Sequence, residues 1–258
     1  MNIKDQIQIT ARLSLLAYES SFPGWNILSL ENKLLADGFE KFHWIENFET
    51  DTQCFLSSRD GYVYLTFRGS STDADWETNF DFEQVPCMWG YLHGGFLADV
   101  KSVYWQIKTA LAAYLAGGQK LIITGHSQGA AVAVIMGIAF LEVCDPLEAV
   151  IHFGGPRVAD PFCADYIDDH FPNIFHRVVN NNDVVTRIPP RIMNYSHFGK
   201  LHYFLGDGTY TDNISEWGRF LDRMAYKIDF GGKYGIDIFN DHMPENYAAL
   251  AEQLKLAA

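Results

Sequence analysis

A serine between two glycines, Gly125-His-Ser-Gln-Gly129, follows the apolar run Leu121-Ile-Ile-Thr124 and precedes Ala130-Ala-Val-Ala-Val134. This order puts Ser127 where a buried strand turns sharply into a helix, the pattern of a nucleophile elbow. A serine hydroxyl attacks a carbonyl usefully only when it projects clear of its neighbours towards a base. The backbone at Ser127 must be strained to achieve that, and Gly125 and Gly129 carry no Cβ to collide where strand and helix cross. The helix starts directly behind the serine, so its first free N–H groups and its positive dipole end face any anion formed there. The backbone N–H of Gln128 is thereby half of a candidate oxyanion hole.

An activated serine needs a base, and the base an orienting carboxylate; in a strand-turn-helix setting of this kind they follow in the order serine, acid, histidine. The segment Phe175-His-Arg-Val-Val-Asn-Asn-Asn-Asp183 ends its apolar part at Val179 and then presents Asp183, the candidate acid. An aspartate after a strand is also a common turn former or helix cap, and that reading stands beside the catalytic one. Among the histidines beyond the elbow, His242 in Asn240-Asp-His-Met-Pro244 follows a polar turn after the final apolar stretch and opens the last helix. His197 and His202 compete with it, although His202 alternates with Leu201 and Tyr203 as in a strand.

The second oxyanion donor is expected in the loop after an earlier strand, where Phe67-Arg-Gly-Ser70 offers Ser70. His93-Gly-Gly95 is a rival that lacks a third glycine and leads into a helix. The chemistry of serine, histidine and aspartate calls for no cofactor and no metal.

The elements that must position these residues are legible around them. An amphipathic helix is expected over Asp5 to Glu19, and strands at His43 to Phe48, Gln53 to Ser57 and Tyr62 to Phe67. Then helices near Phe96 to Leu115, after the elbow, and near Pro161 to His170 alternate with strands Leu121 to Thr124, Ala149 to Phe153 and Phe175 to Val179. Such alternation means a mostly parallel central sheet with helices on both faces, an α/β fold. The 258 residues, 48% hydrophobic, show no composition break, and residues 1–258 read as one domain.

The longest apolar run, Ala130 to Leu141, falls short of the roughly 20 residues that span a bilayer and reads as the buried helix after the elbow. Met1 to Thr10 lacks the apolar centre of a secretory signal, so the expectation is a cytoplasmic chain or one exported without a recognisable signal. The four cysteines, Cys54, Cys87, Cys144 and Cys163, are too sparse for a disulfide framework or a zinc site and read as buried free thiols. A formal charge of −13 argues against nucleic acid as a partner and against tight docking on anionic membranes.

Five motifs in order, Phe67-Arg-Gly-Ser70, His93-Gly-Gly-Phe96, Gly125-His-Ser-Gln-Gly129, Phe153-Gly-Gly-Pro-Arg-Val158 and Asn180-Asn-Asn-Asp-Val-Val-Thr-Arg-Ile-Pro-Pro190, followed by Asp241-His242, resemble the class 3 or fungal-type lipases of the α/β-hydrolase superfamily. The likeness covers about residues 10 to 255. It implies an α/β-hydrolase fold, Ser127 as nucleophile, Asp183 as acid, His242 as base, and Ser70 with Gln128 as oxyanion hole. The implied activity is serine carboxylester hydrolysis of lipid esters, with phospholipase A1 or an aromatic-acid esterase as alternatives. Gln128 stands where leucine is frequent in the family, Ala159 replaces the glycine usual after Pro-Arg-Val, and the cysteine pairs of secreted fungal members are missing.

In similar lipases the segment after the oxyanion serine is a lid, here residues 71–92. Its Trp76, Phe80 and Trp89 are candidate substrate contacts, or else aromatics packed inward under an ordinary loop. The acidic residues between them imply weak interfacial activation and tolerance of soluble or short-chain esters. Trp217, Phe220, Leu221 and Met224, at helical spacing, form either one wall of an acyl pocket or the core face of a helix.

Overall fold

A computed structural model describes residues 2–70, 82–143, 145–229 and 240–254. Trp76, Phe80, residues 71–81 of the lid candidate and Cys144 lie outside the described residues. Helices α1 (Ile3–Leu16), α2 (Ile27–Ala36), α3 (Gly94–Tyr114), α4 (Gln128–Glu142), α5 (Pro161–His170), α6 (Glu216–Asp229) and α7 (Pro244–Gln253) surround ten strands. These are β1 (Lys41–Asn47), β2 (Thr52–Arg59), β3 (Tyr62–Phe67), β4 (Gln84–Cys87), β5 (Gly90–His93), β6 (Lys120–His126), β7 (Ala149–Phe153), β8 (Phe175–Asn180), β9 (Lys200–Phe204) and β10 (Tyr210–Thr211).

Eight strands form one sheet in the order β1-β2-β3-β6-β7-β8-β9-β10. Pairings from β3 to β9 are parallel, and both edges are antiparallel. The alternation of side chains along each strand supplies two cores, because successive Cβ atoms point to opposite faces. Val63, Leu65 and Phe67 of β3 and Leu121 and Ile123 of β6 pack under α3, α4 and α5. Tyr64, Ile122, Ile151 and Phe153 pack on the other face under α1, α2 and α7.

Helix α4 is buried along almost its whole length, as an apolar run with no charged residue before Glu142 requires. Its start is pressed against β3. A Cβ on Gly129 would lie 2.5 Å from the carbonyl oxygen of Phe67, and one on Gly125 would lie 2.3 Å from that of Gly129. Both are backbone collisions, so the two glycines of the motif set how closely helix and sheet cross.

Three further features bear on the expected roles of these segments. Residues 84–93 form a hairpin of β4 and β5, and Trp89 stacks on Tyr166 at 5.1 Å and against Phe171 at 5.4 Å, so its ring is taken up by α5. Trp217 and Phe220 do not face the core; they stack on one another at 5.2 Å and are 66% and 43% exposed. The inward side of α6 is occupied instead by polar residues such as Asp222, which accepts from the Tyr203 hydroxyl and the Gly206 N–H. Cys54 and Cys163 are buried free thiols, but Cys87 is only partly buried.

Gly125→Ala should lower the unfolding free energy in urea by about 2–3 kcal/mol without changing the slope, because the added methyl meets backbone that cannot move aside.

Candidate functional site

The loops that follow β3, β6, β7 and β8 all leave the carboxyl edge of the parallel sheet, where open α/β sheets bind their ligands. Ser127 sits between β6 and α4 at φ 62° and ψ −125°, a conformation that costs a non-glycine residue about 1–3 kcal/mol. It is held there from both sides. Its N–H donates to the Phe153 carbonyl at 3.0 Å, and its carbonyl accepts from Ala130 at 3.1 Å and Ala131 at 3.3 Å.

The hydroxyl oxygen of Ser127 lies 2.8 Å from His242 Nε2, and His242 Nδ1 lies 2.9 Å and 3.0 Å from the two carboxylate oxygens of Asp183. An ionised carboxylate only accepts, so Nδ1 carries the proton and Nε2 is left to accept from the serine. The structure therefore brings Ser127, His242 and Asp183 into one line of hydrogen bonds from residues 115 and 59 positions apart along the chain.

Asp183 is fully buried, and several segments satisfy its charge. Besides His242, it accepts from the Val185 N–H at 2.9 Å and the Tyr247 hydroxyl at 2.7 Å. Burial, and then the Asp183 charge, push the Tyr247 phenol well above its ordinary range, so it stays a donor. Tyr247 in turn accepts the Asn180 N–H at 3.0 Å. Gly154, at φ +57°, lies against the pair: a Cβ there would sit 2.7 Å from Asp183 Oδ2 and 3.1 Å from His242 Nδ1.

The loop carrying His242 is pinned on both sides. Asp241 accepts the Asn182 N–H at 3.1 Å, and the Asn180 amide donates to the Asp241 carbonyl at 3.0 Å. His126 Nε2 meets the His242 carbonyl at 2.6 Å, while its Nδ1 meets the Tyr18 hydroxyl at 2.8 Å. Burial, then the neighbouring His242, hold His126 well below the ordinary imidazole range. It is therefore neutral, donating from Nε2 and accepting from Tyr18. Tyr18, His126, Asp241 and Tyr247 are positioning residues to which the sequence analysis gives no role, although His126 and Asp241 stand inside its motifs. Their roles depend on contacts across the fold and leave no spacing signature.

The oxyanion candidates follow neighbouring strands, β3 and β6, at the same edge. Gln128 is the first residue of α4, so its N–H has no acceptor within the helix. Its side chain turns away to donate to Asp99 at 3.1 Å, whose carboxyl is pushed up to about 6 by burial. Ser70 follows β3, whose Phe67 lies beside Gly125 of β6. The chain runs close there: a Cβ on Gly69 would lie 2.7 Å from the His126 carbonyl oxygen and clash with the Tyr18 hydroxyl.

The rivals have other partners. His93 caps α3, accepting the Phe96 N–H at 3.5 Å. His202 sits within β9, 3.0 Å from His176 and 2.7 Å from the Tyr210 hydroxyl, and His197 lies 2.6 Å from the Thr186 carbonyl.

A strand-serine-helix turn at the carboxyl edge of a mostly parallel sheet, with histidine and aspartate delivered from later loops, defines an α/β-hydrolase. The family model "Lipase (class 3)" matches residues 64–193, half of the chain, from β3 past the Asp183 loop. The chain belongs to the class 3 lipase family. It is 30% identical over 181 residues to a secreted mono- and diacylglycerol lipase of Fusarium solani, covering 68% of this chain and 54% of that one. Among solved structures, the lipase of Rhizopus microsporus var. chinensis superposes with a TM-score of 0.66 at 26% identity, covering 78% of this chain and 74% of the other. The triacylglyceride lipase of Rhizomucor miehei reaches 0.72 at 21% identity over 92% of each chain, a likeness of fold. The chain spans about half the length of the curated relatives it matches.

Tyr247→Phe removes a donor to Asp183 and an acceptor for Asn180. It should cost about 1–3 kcal/mol in urea unfolding, and esterase turnover should fall with the Michaelis constant little changed. Burial holds His152 and His202 at about 3 in the folded chain. Unfolded histidine binds its proton near 6.5, so stability present above that value should be lost as pH falls from about 6.5 towards 3. Thermal melts across that range should show the decline, and His202→Gln should flatten it.

Proposed function

We propose that the chain is a serine carboxylester hydrolase acting on lipid esters, with acylglycerols as the preferred class. The observation that carries this reading is the unbroken contact from Ser127 Oγ to His242 Nε2 at 2.8 Å and from His242 Nδ1 to Asp183 at 2.9 Å. In the first half-reaction His242 Nε2 takes the Ser127 proton while Oγ bonds to the ester carbonyl carbon. The carbonyl oxygen becomes an anion facing the N–H of Gln128 and Ser70. Collapse breaks the bond to the alcohol, which leaves with the proton from His242, and an acyl-serine remains. Water, deprotonated by the same nitrogen, then releases the acid and restores the hydroxyl.

Asp183 keeps the imidazole in the required tautomer and stabilises its transient positive charge. Because Tyr247 and the Val185 N–H also donate to that carboxylate, it is held in place through both halves. Preorganised donors at the oxyanion position contribute about 2.7–4 kcal/mol each in related chemistry.

Acylglycerols are supported by the Fusarium solani relative, a mono- and diacylglycerol lipase. That the Fusarium solani relative is described as secreted supports export for this chain as well. Among the described residues no helix is long and apolar enough to cross a membrane.

The test is hydrolysis of p-nitrophenyl esters from two-carbon to sixteen-carbon acyl chains by the purified protein and by Ser127→Ala. Activity should fall by about 10³-fold or more in the variant. Its chain-length optimum divides short-chain esterase from lipase, and undiminished activity in Ser127→Ala would sink the assignment.

A further inference from the structure

Six of the nine arginines in the chain lie on one cavity of about 330 Å³: Arg157 after β7, Arg177 of β8, Arg187 and Arg191 of the acid loop, and Arg219 and Arg223 of α6. Its volume is at the small end of the range for ligand pockets, roughly 300–1,000 Å³. Among the described residues the wall carries a single carboxylate, Glu216, which is exposed and engaged with Arg191 at 2.6 Å and Arg219 at 3.6 Å. In a chain of formal charge −13, this concentration of positive charge is local and runs against the whole.

Two of these guanidinium groups have structural work. Arg157 donates to the carbonyls of Arg187 and Pro189, and Arg187 donates to the carbonyl and side chain of Asn182. Arg177 makes no side-chain hydrogen bond or ion pair among the described residues, and the Nε atoms of Arg157, Arg177 and Arg219 are buried without an acceptor. Burial first, then the charges of Arg219 and Arg157, pull Arg177 down to about 9, and burial with Arg191 and Arg219 pulls Arg157 to about 10. His197 on the same wall is held neutral by burial and by Arg177.

Like charges gathered in a partly enclosed space repel one another, and each buried N–H without an acceptor has lost hydration with nothing in return. An anion with several oxygens removes both penalties together. The planar guanidinium fork matches two oxygens at once, and a phosphate offers more such pairs than a carboxylate does. We propose that this cavity is a binding site for a phosphorylated ligand, held by Arg177, Arg219 and Arg223 and separate from the Ser127 centre.

The ligand is either a soluble phosphate compound or the headgroup of an anionic phospholipid. Ile192, Trp217 and Phe220, exposed on the two segments that carry Arg191 and Arg219, are the reason for a lipid arm in the test. Occupancy bears on catalysis through Arg187, since the Asn182 it holds precedes Asp183 and donates to Asp241. The inference itself does not rest on the hydrolase reading, because it is measured by binding.

Titration calorimetry at low salt with inorganic phosphate and pyrophosphate is paired with flotation on phosphatidylcholine vesicles, with and without phosphatidic acid. Binding to at least one phosphate probe is expected, weakened roughly tenfold or more in Arg177→Gln and Arg219→Gln and unchanged in Ser127→Ala. Calorimetric binding without flotation identifies a soluble ligand; arginine-dependent flotation only with phosphatidic acid identifies a headgroup. Arg223→Gln is carried alongside, so a folding defect in one variant, seen by circular dichroism, leaves the test intact. Absence of binding in both arms, or folded glutamine variants that bind as the wild type does, would overturn the proposal.

Discussion

A buried carboxylate constrains much of this molecule. Asp183 is enclosed completely, and an unpaired charge in such a place costs several kcal/mol. Its partners arrive from separate parts of the chain: His242 from the loop before α7, Tyr247 from α7 itself, and the Val185 N–H from its own loop. Gly154, after β7, is bare so that this group can close up. Helix α7 must therefore dock where Tyr247 reaches, and it does so by packing with α1 on one face of the sheet. Helix α1 is keyed to the elbow strand through Ser14 and Thr124, 3.2 Å apart, and Tyr18 follows it to meet His126. The two ends of the described chain are thus tied to the turn that presents the serine.

Much of this was legible in the residues. The parallel strands showed as short apolar runs, the elbow as a glycine-serine-glycine spacing between strand and helix, and the acid as an aspartate just beyond an apolar strand. The strand carrying His202 was visible in its alternation. Other elements were less so. Helix α2 is hard to read from the residues although Asn26 caps it, accepting the Ser29 N–H at 2.9 Å, because its apolar residues do not keep to one face: Leu30 and Leu34 are buried while Ile27, Leu28 and Leu35 are exposed. Tyr247, Tyr18 and His126 act through contacts between distant segments, and periodicity within a window carries no information about those. The tryptophan and phenylalanine of α6 do not form the core face that their spacing allowed, for a physical reason: helical spacing identifies a face but not the direction in which it points.

Whole-chain charge misleads in a related way. A sum of −13 describes the long-range field, which governs solubility and encounter. It says little about a cavity a few ångströms across, where six guanidinium groups set the local potential. Arg219 and Arg223 are four residues apart on α6, and Arg187 and Arg191 four apart in the acid loop. The spacing is plain in the sequence, but their convergence with Arg157 and Arg177 exists only once β7, β8 and α6 are assembled.

The strained backbone at Ser127 has a further consequence. Its conformation is held by main-chain bonds to Phe153, Ala130 and Ala131 and by the glycines around it, none of which involves the side-chain oxygen. The scaffold and the reagent are therefore separable. A chain that exchanged this serine for another small residue would keep its elbow, its sheet and its core, and would be indistinguishable from its parent in outline. Within such an architecture, passage from a hydrolase to a protein that merely holds its ligand is a matter of one oxygen atom, so the fold can outlive its chemistry.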